Sequence, residues 1–392
     1  MNVPVKQMEP YDVIVVGGGI AGVSAAVSAA RLGKNVLLIE KSMNLGGLAT
    51  RGLISWYEPL CDGTGTQRAG GLAEELLKLA TENGFDNLPP DWDGHSNNTP
   101  RNDRYSTYFS PTFFSLSLDK FVEENGAHLL FDTLATYPVM DKNLCRGIIT
   151  ENTDGRCFYP AKIIIDATGD ASVFARAGAR TQEADNFITY IVHETDYKNT
   201  KDYIKTHDLS KLRRWKSCGS DYLGNGQPLN MPLLRGTTSK DINFYIKYGK
   251  RCMLEAYSRS DKNEREILSI PEMPQIRVIR RIIGDYTFTG KEENYIFPDS
   301  VGCTGDFRRR GVFYSIPSRC LFSSQYPNLL AAGRIVSAVG DGMEILRVIP
   351  CCALTGQAAG IIAGLSVEYN AAVNKVPYSS LYEHLKSGKA II

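Results

Sequence analysis

The sequence predicts an α/β fold organised around a Rossmann-type unit, and two observations carry that prediction. A β-branched run, Val13–Val16, stops at three glycines, Gly17, Gly18 and Gly19, and passes into a stretch of small residues. A second apolar run, Val36–Ile39, ends at the carboxylate of Glu40. Residues 11–41 therefore read as strand, tight turn, helix, turn and strand, the opening of a mononucleotide-binding βαβ unit.

Each element has a physical reason. Val13–Val16 is continuously apolar, as a parallel strand buried on both faces requires. Gly17, Gly19 and Gly22 form GxGxxG where the strand ends and the helix opens. Gly17 makes the turn, Gly19 lets the backbone approach a pyrophosphate, and Gly22 lets the helix pack closely on the strand. The free N–H groups at the helix start, beside Ile20 and Ala21, would hold the phosphates together with the positive end of the dipole. Glu40 follows Gly22 by 18 residues, the separation of an acid that bonds the adenosine ribose hydroxyls. An acid there disfavours a 2′-phosphate, so NADP is not expected.

The bulk numbers set the class. At 392 residues the chain can form two or three domains, each with its own core. A hydrophobic fraction of 43% and a charged fraction of 22% are those of a globular protein. With 44 Lys plus Arg against 43 Asp plus Glu, there is no broad basic field for a nucleic acid or an anionic membrane. Residues 13–32 are apolar, but Glu9 and Asp12 precede them and glycines interrupt them, so no membrane span is expected. Nine cysteines without a CxxC fit reduced thiols and a cytoplasmic location. His95, His128, His193, His207 and His384 are scattered without metal-like spacing, so no metal is expected.

"EKSMNLGGLATRG" (40–52) brings Gly46 and Gly47 shortly after the acid. Here the chain resembles FAD-binding flavoproteins of the glutathione-reductase-like and fumarate-reductase-like type. In those proteins an E(K/R)xxxxGG segment runs along the pyrophosphate toward the isoalloxazine ring, where glycine lets the backbone lie against a flat ligand. "IIIDATGD" (163–170) resembles their returning ATG(D) segment, and "LLAAGR" (329–334) resembles their late strand ending in Gly-Arg. Residues 128–155 resemble their inserted β-meander.

The order of motifs, closing with "LRVIPCCALTGQAAG" (346–360), is most similar to the broad FAD-dependent oxidoreductase family over roughly residues 10–180 and 265–365. Glu344 and Ile345 depart from it, since small residues are usual there. The resemblance implies FAD as cofactor and a discontinuous FAD-binding domain. Its first part would span 10–180 and its return 276–368, with a mixed α+β substrate domain inserted at 181–275 and a tail at 369–392. It further implies that Gly17, Gly18, Gly19, Ile20, Ala21 and Gly22 cradle the pyrophosphate, with Glu40 and Lys41 at the ribose. Gly46, Gly47, Leu48 and Thr50 would line the path to the ring, and Ala135 would meet the adenine through its main chain. Ala167, Thr168, Gly169, Gly333 and Arg334 would return to the cofactor, and Leu346, Arg347 and Val348 would touch the ring or its edge.

Pro350 suits the first turn of a helix, where its missing N–H costs nothing. That helix start would aim its positive end at the flavin N1–C2=O edge. Cys351 and Cys352 then read as small packing residues in the turn, because neighbouring helical side chains point about 100° apart. No second strand–GxGxxG–helix unit and no CxxxxC pair is present, which excludes a second nucleotide domain and a flavin–disulfide relay. The expected activity is hydride transfer between a small organic substrate and flavin N5. The alternative is a non-redox or structural use of FAD, as in a flavin-dependent RNA-modifying or scaffold protein. The strand read in "NFITYIVHETDY" (186–197) could line the open face of the flavin, and Arg277, Arg280 and Arg281 could grip a carboxylate. The acid–base candidates are His193, Arg281 and Tyr286.

Overall fold

A computed structural model describes residues 4–88, 104–221 and 223–392, so His95 lies outside the described residues. Five parallel strands form the centre of the main sheet. Their order is His128–Leu130, Val36–Ile39, Tyr11–Val16, the second half of Gly155–Asp166, and Leu329–Ala331. Val16 stands beside both Ile39 and Asp166, and Ala331 beside Asp166. The strands therefore end along one edge, and Gly17, Glu40, Ala167 and Ala332 all leave the sheet there. Ligands of open parallel sheets bind at that edge.

Two helices cover the sheet. Ile20–Arg31 and Ile349–Tyr369 pack on each other so closely that a Cβ on Gly356 or Gly360 would stand 2.2 Å from the Ala21 or Ala25 carbonyl oxygen. Small residues recur in Ile349–Tyr369 because only they permit this approach. By length and composition that helix could cross a membrane, yet 89% of its apolar window is buried inside the fold. Residues 13–32, the apolar stretch near the start, form the buried part of a strand and the whole of a helix.

The β-meander is shorter than the sequence suggests. It comprises Leu134–Asp141, Leu144–Asn152 and the start of Gly155–Asp166, all antiparallel. His128–Leu130 instead joins the parallel sheet beside Val36–Ile39. The helix Pro111–Glu124 just before it supplies the crossover that a parallel strand needs.

A second, antiparallel sheet is built from Arg214–Gly219, Thr189–Asp196 and Arg265–Ser269. The helix Ser239–Ser258 packs on it through Tyr245, Met253 and Tyr257, which with Ile188, Tyr190 and Val192 form a core of their own. Arg280–Ile282 pairs with Thr181–Glu183 where the chain leaves and re-enters the larger unit. Glu344 and Ile345 fall in a short helix, Asp341–Leu346, that precedes Ile349–Tyr369.

Candidate cofactor cleft

The edge where the parallel strands end opens into a cleft of about 250 Å³. Gly17 makes its turn at φ +101°, with a hypothetical Cβ 2.7 Å from the Ala167 carbonyl oxygen. A Cβ on Gly22 would stand 1.8 Å from the Gly17 carbonyl oxygen, so this glycine serves helix–turn packing. A Cβ on Gly19 would meet nothing within 4 Å. It would project into open space at the helix start, where a side chain would exclude a ligand.

Glu40 is held in place from two sides. Its Oε2 accepts the Gly18 N–H at 2.7 Å, and its Oε1 accepts the Ser42 N–H at 2.9 Å and the Ser42 hydroxyl at 2.7 Å. Gly46 donates to the Gly18 carbonyl at 2.8 Å, and Gly19 and Gly46 form a parallel bridge. The glycine pair thus lies against the glycine turn, backbone to backbone.

Two helix starts face the cleft. Ile20–Arg31 begins after Gly19 and Ile349–Tyr369 after Val348, and neither has a side-chain cap or an acid in its first turn. Ile20, Ala21, Ile349 and Cys352 line the cavity. Uncapped N–H groups with no competing carboxylate are an anion site. Lys41, Arg51, Arg176, Arg334 and Arg347 also line it, against Glu40 and Asp170. Arg347 donates from Nε to Glu344 at 2.8 Å, and Arg176 donates to the carbonyls of Ala135 and Thr136 at 3.2 and 2.8 Å. Arg334 binds the Ile276 carbonyl, and burial lowers its pKa. Burial also pushes the Cys352 thiol up to about 11, which keeps it protonated at neutral pH.

A family model described as FAD dependent oxidoreductase matches residues 12–187 and 232–385. The chain belongs to the FAD dependent oxidoreductase family. FAD is its cofactor, and the open space at Gly19 and the two uncapped helix starts fit it. The chain is 27% identical over 188 residues to a digeranylgeranylglycerophospholipid reductase of Methanoculleus marisnigri, covering 42% of this chain and 40% of that protein. It is 36% identical over 76 residues to a soluble pyridine nucleotide transhydrogenase of Mycobacterium tuberculosis, covering 19% and 14%. The matched stretches thus span less than half the length of these relatives. Among solved structures, a geranylgeranyl bacteriochlorophyll reductase-like protein of Thermoplasma acidophilum superposes with a TM-score of 0.50 at 14% identity. That likeness covers 98% of this chain and 84% of the other, and it shows a shared fold.

In this FAD dependent oxidoreductase the cleft gathers Gly17, Gly19, Ile20, Ala21, Glu40, Lys41, Gly46, Gly47, Leu48, Ala135, Ala167, Thr168, Gly169, Gly333, Arg334 and Arg347. Five expected contacts do not line it. Gly18 is packed between Leu45 and Glu40, and Gly22 lies against Gly17. Thr50 turns inward to the Leu45 carbonyl at 2.5 Å. Leu346, at the end of its short helix, is 1% exposed in the core, and Val348 serves as the N-cap of the next helix. Asp166, in the DATGD segment, points away and accepts hydrogen bonds from Thr168, Val173 and Phe174; burial pushes it up to about 6.

The three acid–base candidates are not brought together, and none lines the cleft. Tyr286 donates to Glu292 at 2.8 Å. Arg281 is 1% exposed, its Nε and Nη2 have no partner among the described residues, and burial lowers it to about 10. His193 is fully buried in the second sheet, with Nε2 3.0 Å from the Leu53 carbonyl and 3.3 Å from Ser55 Oγ. Burial, then the charge of Arg213, pulls it down to about 4, so it is neutral at physiological pH. No residue of the Thr189–Asp196 strand lines the cleft either. The cleft residues that motif reading missed include Arg51, Arg176, Met273 and Cys352. "LATRG" (48–52), which continues the glycine pair, was a usable signal for Arg51 alone.

Proposed function

We propose that this chain catalyses hydride transfer between a small organic substrate and flavin N5. The observation that carries the reading is the convergence of two uncapped helix N-termini, at Ile20 and Ile349, on one cleft. Bound FAD supplies the hydride acceptor or donor. The chain binds and orients it: the turn at Gly17–Gly19 and the helix start at Ile20 hold the pyrophosphate, and Glu40 fixes the ribose. The helix start at Ile349, with Arg347 and Cys352 beside it, sets a positive potential at the far end of the cleft. Gly46 and Gly47 keep the wall between these ends free of side chains.

Residues 181–275 form the substrate domain in this reading, supported by their separate core and by Met273, which reaches the cleft wall. Nine free cysteines support a reducing, cytoplasmic location. The test is anaerobic mixing of the FAD-loaded protein with small acids, amines and polyenes while the visible flavin band is followed. Bleaching by one of these classes supports hydride transfer. A flavin that dithionite bleaches and none of these compounds does would favour the non-redox alternative.

A further inference from the structure

A second cavity, of about 530 Å³, lies apart from the cofactor cleft and shares no lining residue with it. Its volume is in the range of small-molecule sites. Its walls are aromatic. Trp56 and Tyr108 are in tilted contact with ring centroids 4.3 Å apart, and Tyr108 meets Trp215 edge-on at 5.9 Å. Phe85 contributes another ring. Trp215 Nε1 donates to Ser55 Oγ at 3.2 Å, which fixes the indole against the wall.

The charge lining this cavity is entirely positive among the described residues. Lys211, Arg213 and Arg214 contribute to it, and no Asp or Glu does. Two of these cations are compensated from outside the cavity. Arg214 pairs with Glu194 at 2.7 Å and Asp196 at 2.6 Å, and Lys211 lies 3.7 Å from Asp208. Arg213 is half-buried and has no ion-pair or hydrogen-bond partner among the described residues. Its guanidinium sits 5.7 Å from the centroid of the Phe85 ring, and burial without a counter-charge lowers its pKa. A partly desolvated guanidinium beside an aromatic wall favours an anionic partner.

We infer that this cavity binds an organic carboxylate with a flat, unsaturated body, the carboxylate pairing with Arg213 and the body lying against the wall formed by Trp56, Tyr108 and Trp215. A guanidinium takes a carboxylate through two parallel N–H···O bonds, and aromatic walls favour a planar partner. The two cavities are joined by one chain segment: Leu48, Ala49 and Arg51 line the cofactor cleft, and Ser55 and Trp56 line this one.

Isothermal titration of the FAD-loaded protein with cinnamate and with cinnamamide tests the inference, since the two probes share one flat body and differ at the head, an anionic carboxylate against a neutral amide. The expected result is saturable one-site binding of cinnamate, roughly tenfold or more tighter than the amide. Arg213→Gln should bring the two probes to equal affinity, while Arg213→Lys keeps part of the preference. FAD content of each variant reports its folding, and the acid–amide comparison in the unaltered protein needs no variant. Absence of cinnamate binding, equal binding of acid and amide, or an unchanged preference in Arg213→Gln would overturn the inference. Flavin bleaching is read separately, so failure of hydride transfer would not be mistaken for failure of this site.

Discussion

Gly17 and Gly22 are in backbone contact so close that a Cβ on Gly22 would stand 1.8 Å from the Gly17 carbonyl oxygen, whereas one on Gly19 would touch nothing. Three glycines of one motif therefore have separable roles. Gly19→Val should leave a folded chain that no longer takes up FAD. Gly22→Val should lose the fold, because the clash is with backbone and cannot be relieved by a rotamer. Circular dichroism with flavin content on both variants checks this. Retention of FAD by Gly19→Val would remove the pyrophosphate assignment.

Arg347 lines the cleft and is also bonded to Glu344, so the flavin would sense a pair and not a lone cation. Arg347→Gln should lower the flavin midpoint potential and Glu344→Gln should raise it. Each shift should be about 20 mV, corresponding to roughly 1 kcal/mol for a two-electron couple. The double variant should return near the starting value. Potentials unchanged in all three FAD-loaded variants would show that this pair does not act on the flavin.

Cys351 is fully buried, Cys352 lies at the cleft wall, and both thiols are pushed up by burial. Neither is poised to act as a thiolate. The double alanine variant should still bind FAD and be reduced by dithionite, at a stability loss of about 1 kcal/mol. Turnover lost with FAD and fold intact would reveal a redox role for the pair.

His193, pulled down to about 4 by burial and by Arg213, binds fewer protons in the folded chain than in the unfolded one between pH 4 and 6.5. Its contribution to stability is therefore present above about pH 6.5 and lost as the pH falls toward 4, at most on the order of 3 kcal/mol. Asp166, raised to about 6, acts in the opposite sense, so the informative quantity is the difference between proteins. His193→Gln should flatten the fall in urea stability across that window. An identical pH profile in the variant would contradict the buried neutral ring.

The motif-bearing half of the cleft was legible because its determinants are local. Val13–Val16, Gly17, Gly19, Gly22, Val36–Ile39 and Glu40 lie within one βαβ opening, and each states its role through neighbours in the chain. The same locality misled at His128–Leu130, which looks contiguous with the meander but pairs with a strand about ninety residues earlier. Arg176 and Met273 reach the wall from distant elements, and no local pattern distinguishes them from other surface residues. The second cavity was wholly illegible. It assembles Trp56, Phe85, Tyr108 and Arg213–Trp215 from separate stretches, and Arg213 differs from the paired Arg214 only in three dimensions.

Release of the cofactor tests the account most directly. The purified protein, denatured and its small-molecule fraction resolved by chromatography, should yield FAD and not FMN, at about one per chain, since in the proposed reading the turn at Gly17–Gly19 and Glu40 take the pyrophosphate and the adenosine ribose. Protein that carries no flavin and takes up none when FAD is added would contradict it.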